Sequence, residues 1–181
     1  MAHVVSPNEN ALRMGKGWMT DLVANVTDIC LEAFTSIPEL REFYPSTNYC
    51  YAPDVGPIES LPSLHVWVNR VTFDTPALGQ QTPGVTFRTH QLAFVNIQYI
   101  HSSNTSQQTR VDLMTVASFL TDHVRRNQNL NGLVNGANIH EVLVVDKHYA
   151  VKQMLLTQTA IIHAAYSREM VDYTSTVPYK V

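Results

Sequence analysis

The sequence predicts an α+β domain: a mainly antiparallel sheet with two helices packed on one face, plus a long projecting β-hairpin and terminal arms. Three observations lead there. Two segments carry the 3.6-residue apolar period of a helix, and several others carry the alternating or continuous apolar pattern of a strand. The two kinds follow one another as helix, short strand, hairpin, helix, two strands, which is not the strict βαβ alternation of a parallel sheet. The chain has 181 residues, enough for a single domain over 1–181 with a proper core. No internal repeat divides it.

Residues 1–17 carry Pro7, Gly15 and Gly17 with no periodicity and read as an N-terminal arm. In the helix that follows, Leu22, Val26, Ile29, Ala33 and Ile37 share one face, and Cys30 and Phe34 widen the buried stripe. Thr20 or Asp21 is the expected N-cap, and Pro38 is the stop. Residues 38–62 hold Pro38, Pro45, Pro53, Pro57 and Pro62 together with Tyr44, Tyr49 and Tyr51. So much proline marks a connection laid against the surface or against a neighbour, with one short strand around residues 49–51.

Residues 63–101 form the predicted hairpin. Leu64, Val66, Val68, Val71 and Phe73 make its first strand, with Trp67 on the opposite face. Asp74, Pro76, Gly79, Pro83 and Gly84 supply turn chemistry at the tip, which also holds Leu78. The second strand, 85–101, exceeds the usual strand length, so a bend is expected near residues 89–91. A polar linker, 102–109, leads to a second helix. Its expected opening is a capping box of Thr109 and Asp112, and its buried stripe is Leu113, Val116, Ala117, Leu120 and Val124. Arg125 and Arg126 suit the negative end.

Asn127, Asn131-Gly132 and Asn135-Gly136 then offer left-handed backbone, with Leu130, Leu133 and Val134 as apolar plugs. A strand over 139–145, a turn at Asp146-Lys147 and a last long strand over 151–168 complete the sheet. Residues 169–181 read as a C-terminal tail.

Composition narrows the function. Apolar residues make up 45% and charged residues only 15%, the balance being Thr, Asn, Gln and Ser. Ample apolar material excludes disorder. A net charge of −3 argues against a dedicated nucleic-acid surface. Few charges and many amides and hydroxyls suit a chain that spends its surface on other protein. No run reaches the 18 apolar residues of a membrane span, and the polar N-terminus shows no secretory signal. A cytosolic or virion-type protein is expected.

The chain lacks a G-x-S-x-G elbow, a P-loop, an H-E-x-x-H pair and a G-x-G-x-x-G turn. The glycines of NGLVNG follow a helix, where they stop it; they do not open one onto phosphate. Eight histidines are present without the i, i+4 spacing of a helical metal pair. Cross-strand pairing is their expected use, through His65, His90, His101 and His163. Cys30 faces the predicted core and Cys50 follows Tyr49, so neither is placed as a nucleophile or a zinc ligand. No catalytic residue, metal ligand or cofactor site is predicted. The aromatic residues of irregular segments are the candidate protein-interface set: Tyr44, Tyr49, Tyr51, Trp67 and Tyr99, with Leu78 at the hairpin tip.

Residues 112–166 read DLMTVASFLTDHVRRNQNLNGLVNGANI, then EVLVVD, then MLLTQTAIIHAAY. This resembles the tail terminator and minor tail proteins of long-tailed bacteriophages and the related head–tail joining proteins. In these an amphipathic helix meets a Leu-Gly-Gly-Leu-Val-like turn, a strand and a last long strand ending in an aromatic. Here Leu130-Asn131-Gly132-Leu133-Val134 stands in that turn, and Asn131 tolerates the same left-handed backbone as glycine. The likeness reaches the first helix and hairpin more weakly.

The resemblance implies a non-enzymatic building block. It would form a hexameric ring of identical subunits that caps the head-proximal end of the tail tube and stops its polymerisation. Its partners would be the tube protein, a neck or head-completion protein, and a sheath protein where the tail contracts. DNA would pass through the lumen only as cargo, and no membrane is involved. The place implied is the tail–neck junction of the virion, assembled in the host cytoplasm. A neck or head–tail adaptor or a tail-completion protein of the same fold is the alternative, and a small α+β enzyme or ligand-binding domain a more distant one.

Overall fold

The computed structural model of the chain describes residues 17–56, 58–74, 86–146 and 157–173. Helix α1 spans Trp18–Ser36. It starts earlier than Thr20 or Asp21 would place it, because Gly17 takes a φ of 103° that a side chain disfavours and turns the chain directly into the helix. The Thr20 hydroxyl then donates to the Gly17 carbonyl inside the first turn at 2.6 Å. Leu22, Val26, Cys30, Ala33 and Phe34 are buried as the periodicity requires. Pro38 ends the helix and opens a 3-10 turn, Pro38–Phe43.

Strand β1, Thr47–Tyr49, lies two residues before its predicted place and runs parallel to the start of β2. The Ser46 amide bonded to the Pro62 carbonyl at 2.8 Å sets that register. Strands β2 (Ser63–Asp74) and β3 (Thr86–His101), the two limbs of the predicted hairpin, pair antiparallel. Its tip, including Leu78, and the arm before residue 17 lie outside the described residues. β3 pairs with β5 without a register shift along its whole length; the irregularity expected near residues 89–91 of β3 falls on β2, between Val68 and Arg70. That bulge moves the helix-facing parity from even to odd numbers. Leu64, Val66 and Val68 therefore share a face with Val71.

Helix α2 spans Ser106–Arg126. Its cap is Thr105, whose side chain accepts the Gln108 amide at 3.1 Å; the predicted box of Thr109 and Asp112 is corrected, since both are buried polar residues one turn further in. After the helix, Leu130, Asn131 and Gly132 take φ values of 46°, 58° and 89°. This is the left-handed stop that Asn131-Gly132 predicts. Asn135-Gly136 does not share it, because Gly136 already belongs to β4, Gly136–Val145. Strand β5, Gln158–Tyr173, continues past its predicted end, since residues 169–173 pair with residues 86–90 of β3. Those five residues are strand, not tail.

The sheet has five strands in the order β1-β2-β3-β5-β4 and is antiparallel except for β1 with β2. α1 packs on β2, α2 packs across β5 and β4, and the two helices touch each other. Cross-strand rows fill the space beneath them. One runs Leu64–Tyr99–Ala160–Val144, the next Val66–Ile97–Ile162, ending at the edge on the exposed Val142. Phe34 of α1 stacks on Tyr99 with ring centroids 5.4 Å apart.

The left-handed turn gives a first test. Asn131→Gly should leave stability within about 0.5 kcal/mol, whereas Asn131→Val should cost about 1–2 kcal/mol. Urea midpoints at constant m-value distinguish the two; equal midpoints would show that this backbone conformation is not held in solution.

Candidate functional site

At the end of the sheet where Phe73, Gln91 and Arg168 lie in one row, a cavity of about 280 Å³ is lined by Gly17, Trp18, Met19, Val71, Phe73, Gln91 and Arg168. Sequence order explains its walls. The β2 bulge turns Val71 and Phe73 to the helix side, but α1 begins only at Trp18, so the strands outrun the helix that covers them. Phe73 is 60% exposed and Met19 51%. Trp18 is fixed by its indole N–H, which donates to the Leu133 carbonyl at 3.3 Å, and by the Arg168 guanidinium 5.4 Å from its ring centre. Among the described residues Arg168 is the only charged group in the lining.

A polar cluster joins β3 to α2. Asp112 accepts from the Ser103 hydroxyl through one oxygen and from the Gln108 amide at 2.7 Å through the other. His101 Nε2 lies 2.9 Å from the Ser103 oxygen and 3.3 Å from Asp112. The Ser103 amide bonds to the Thr109 hydroxyl at 2.9 Å. Burial raises the Asp112 pKa, but the Ser103, Gln108 and His101 hydrogen bonds outweigh it and hold the carboxyl below its ordinary value. Burial holds the His101 imidazole low, against the pull of Asp112. A nucleophilic serine must give its proton to the imidazole; here the Ser103 hydroxyl donates to the carboxylate, which is the geometry of a joint.

A third constellation holds residues 46–56 and 58–62 against the face of β2 away from the helices. His65 is fully buried, stacked on Tyr49 at 4.6 Å and met edge-on by Tyr51 at 5.9 Å. Its Nδ1 reaches the Tyr51 carbonyl at 3.2 Å, and Nε2 faces the Ser63 hydroxyl at 3.4 Å. Those partners suit a neutral ring donating through Nδ1, and burial lowers its pKa to about 4. Gly56 lets the Tyr51 ring lie close, because a Cβ there would fall 2.9 Å from it and push the ring aside. Further along the same face Arg70 lies 4.4 Å over Phe94, which stacks on His140, and His163 bonds to Asn96 at 2.8 Å.

These placements sort the six candidate residues. Tyr44 is 47% exposed on the 3-10 turn, and Trp67 is half-exposed on the helix-free face. Tyr49 and Tyr51 cover this chain's own sheet. Tyr99 is corrected: at 1% exposure it belongs to the core, its hydroxyl donating to the Phe43 carbonyl at 2.6 Å. Leu78 lies outside the described residues. Sequence reasoning missed Phe73, Gln91 and Arg168 as cavity walls; the signal was an aromatic placed beyond the reach of either helix stripe. Cys30 is buried and its pKa is pushed up to about 12 by burial, so its thiol stays protonated. Among the described residues no group of three or more His, Cys, Asp or Glu could hold a metal ion, and no helix is long and apolar enough to cross a membrane.

No protein-family model and no curated protein matches the chain.

Two predictions follow the geometry. Asp112→Ala strands three donors in a half-buried joint and should cost about 2–3 kcal/mol, read as a lower urea midpoint; a loss below 0.5 kcal/mol would mean water satisfies the cluster. His65 sets a pH dependence. Its folded pKa of about 4 lies below the 6.5 of an unfolded chain. Stability is complete above pH 6.5 and falls towards pH 4, where the unfolded chain takes a proton the folded one refuses, by up to about 1 kcal/mol per pH unit. His65→Gln should flatten that slope relative to the unsubstituted chain, and equal slopes would remove His65 as its source.

Proposed function

We propose that this chain is a structural assembly protein of a long-tailed bacteriophage, a tail terminator that forms a ring on the head-proximal end of the tail tube. The observation that carries the reading is the end of the sheet where β2, β3 and β5 outrun the helices. Phe73 and Met19 stand exposed there around an apolar cavity that no other described residue fills. Contiguous exposed apolar surface of this kind marks a protein contact. The order α2, left-handed Leu130–Gly132 turn, β4, β5 supports the reading as well, since it is the order on which the resemblance of residues 112–166 rests.

In this role the chain performs no bond chemistry. The His101–Ser103–Asp112 cluster holds a helix to a sheet. Partners are copies of the chain, the tube protein and a neck protein, and the place of action is the tail–neck junction. DNA passes the ring as cargo.

The test is the mass of the purified chain by light scattering, followed by incubation with terminator-deficient tail tubes viewed in negative stain. The expected species is a ring of about six subunits, near six times 20.3 kDa, seated at one tube end. A chain that stays monomeric and leaves tube ends unchanged would overturn the reading.

A further inference from the structure

We propose that the cavity walled by Trp18, Phe73 and Arg168 receives Tyr44 of the next copy of this chain, with Glu42 of that copy facing Arg168. The proposal rests on the ring reading above and names the contact that builds the ring.

Size comes first. A cavity of about 150 Å³ lined by apolar side chains binds benzene, so about 280 Å³ accommodates a phenol ring with room for a flanking side chain. The lining has the matching chemistry: Trp18 and Phe73 offer aromatic faces, Met19 and Val71 aliphatic surface, and Gln91 an amide for a hydroxyl. Arg168 lies half-buried against Trp18. Among the described residues no carboxylate pairs with it. An occupant that brings an aromatic ring and a nearby carboxylate satisfies both parts of the site.

The chain itself displays such a group. On the turn Pro38–Phe43 and the residue after it, Tyr44 is 47% exposed, with only its edge against Phe34 at 6.3 Å. Glu39 and Glu42 are exposed beside it, against the single cation Arg41, so the turn carries a net negative charge. The same chain cannot close this contact. Tyr44 sits by Phe34, which stacks on Tyr99. The cavity lies at Gln91, eight residues away along β3, or about 26 Å. Knob and cavity are therefore two different patches, and repeating one contact from copy to copy is the heterologous geometry that generates rings.

Disulfide trapping tests it, in a Cys50→Ser background with Cys30 left buried. One chain carries Tyr44→Cys and a second carries Phe73→Cys; both positions are exposed, so the fold should survive, as circular dichroism would verify. Mild oxidation of the mixture should give at least tenfold more heterodimer than homodimer in either chain alone. The doubly substituted chain should give a ladder running past the dimer. Heterodimer no more abundant than the homodimers would overturn the proposal, and so would a ladder that stops at two, which marks a two-fold exchange.

Charge reversal supplies the second readout. Arg168→Glu should weaken assembly at least tenfold in concentration, and adding Glu42→Lys should restore it; weakening without rescue removes Glu42 from the contact and overturns the pairing. Rings that form without the cross-link would sink this contact and leave the terminator reading standing. Cross-linked rings that ignore tube ends would do the reverse.

Discussion

The structure depends on the uninterrupted pairing of β3 with β5. Sixteen residues of β3 face sixteen of β5 with no shift of register, and side chains on such strands alternate strictly between faces. One slip would carry Ala93, Val95, Ile97 and Tyr99 away from the helices and put Phe94 and Asn96 beneath them. Because the central pair is unbroken, irregularity is exported to the flanking strands. The bulges at Val68/Arg70 in β2 and at Ile139/Glu141 in β4 are where the sheet adjusts. The long pair also outreaches both described helices, and the cavity lies at that end.

The other end of the sheet is closed by different means on each face. Towards the helices, Tyr99 carries its ring onto Phe34 and its hydroxyl onto the Phe43 carbonyl, so a strand, a helix and the following turn share one residue. On the far face His65 draws the Pro/Tyr-rich connection down over β2. Asp112 then orders the passage from β3 into α2. All three are polar atoms satisfied in or near the core, and such groups fix one arrangement because the alternatives leave them unpaired.

Most of the architecture was legible because both helix stripes and the long strands follow their periods closely. Three of the misplaced starts share a cause. Gly17, Thr105 and Gly136 begin their elements through backbone conformation or a local cap, ahead of the first apolar residue that periodicity registers. Tyr99 was misjudged because strand alternation alone does not say which face receives helices over which stretch; its parity with Val95 and Ile97 was the better guide. The cavity was not legible at all. Phe73 and Arg168 lie far apart in sequence, and only the β2–β3–β5 register brings Phe73, Gln91 and Arg168 into one row.

The outer strands bear on how copies of this chain can meet. Beyond His65, β2 has no described strand on its outer side, and β4 is the opposite edge of the sheet. A free edge with open ladder groups invites another strand, and natural edges resist this with bulges and charge. Both edges here carry a bulge, and Arg70 and Glu141 sit at them. Sheet-to-sheet extension is therefore opposed along both described edges, which favours side-chain docking as the contact in the assembly proposed above. A ring built by docking a knob into a cavity fixes its own geometry through two patches on a rigid frame. An extended sheet would let register slip from one copy to the next, an accumulation that the proposed ring, which has to close on itself, could not tolerate.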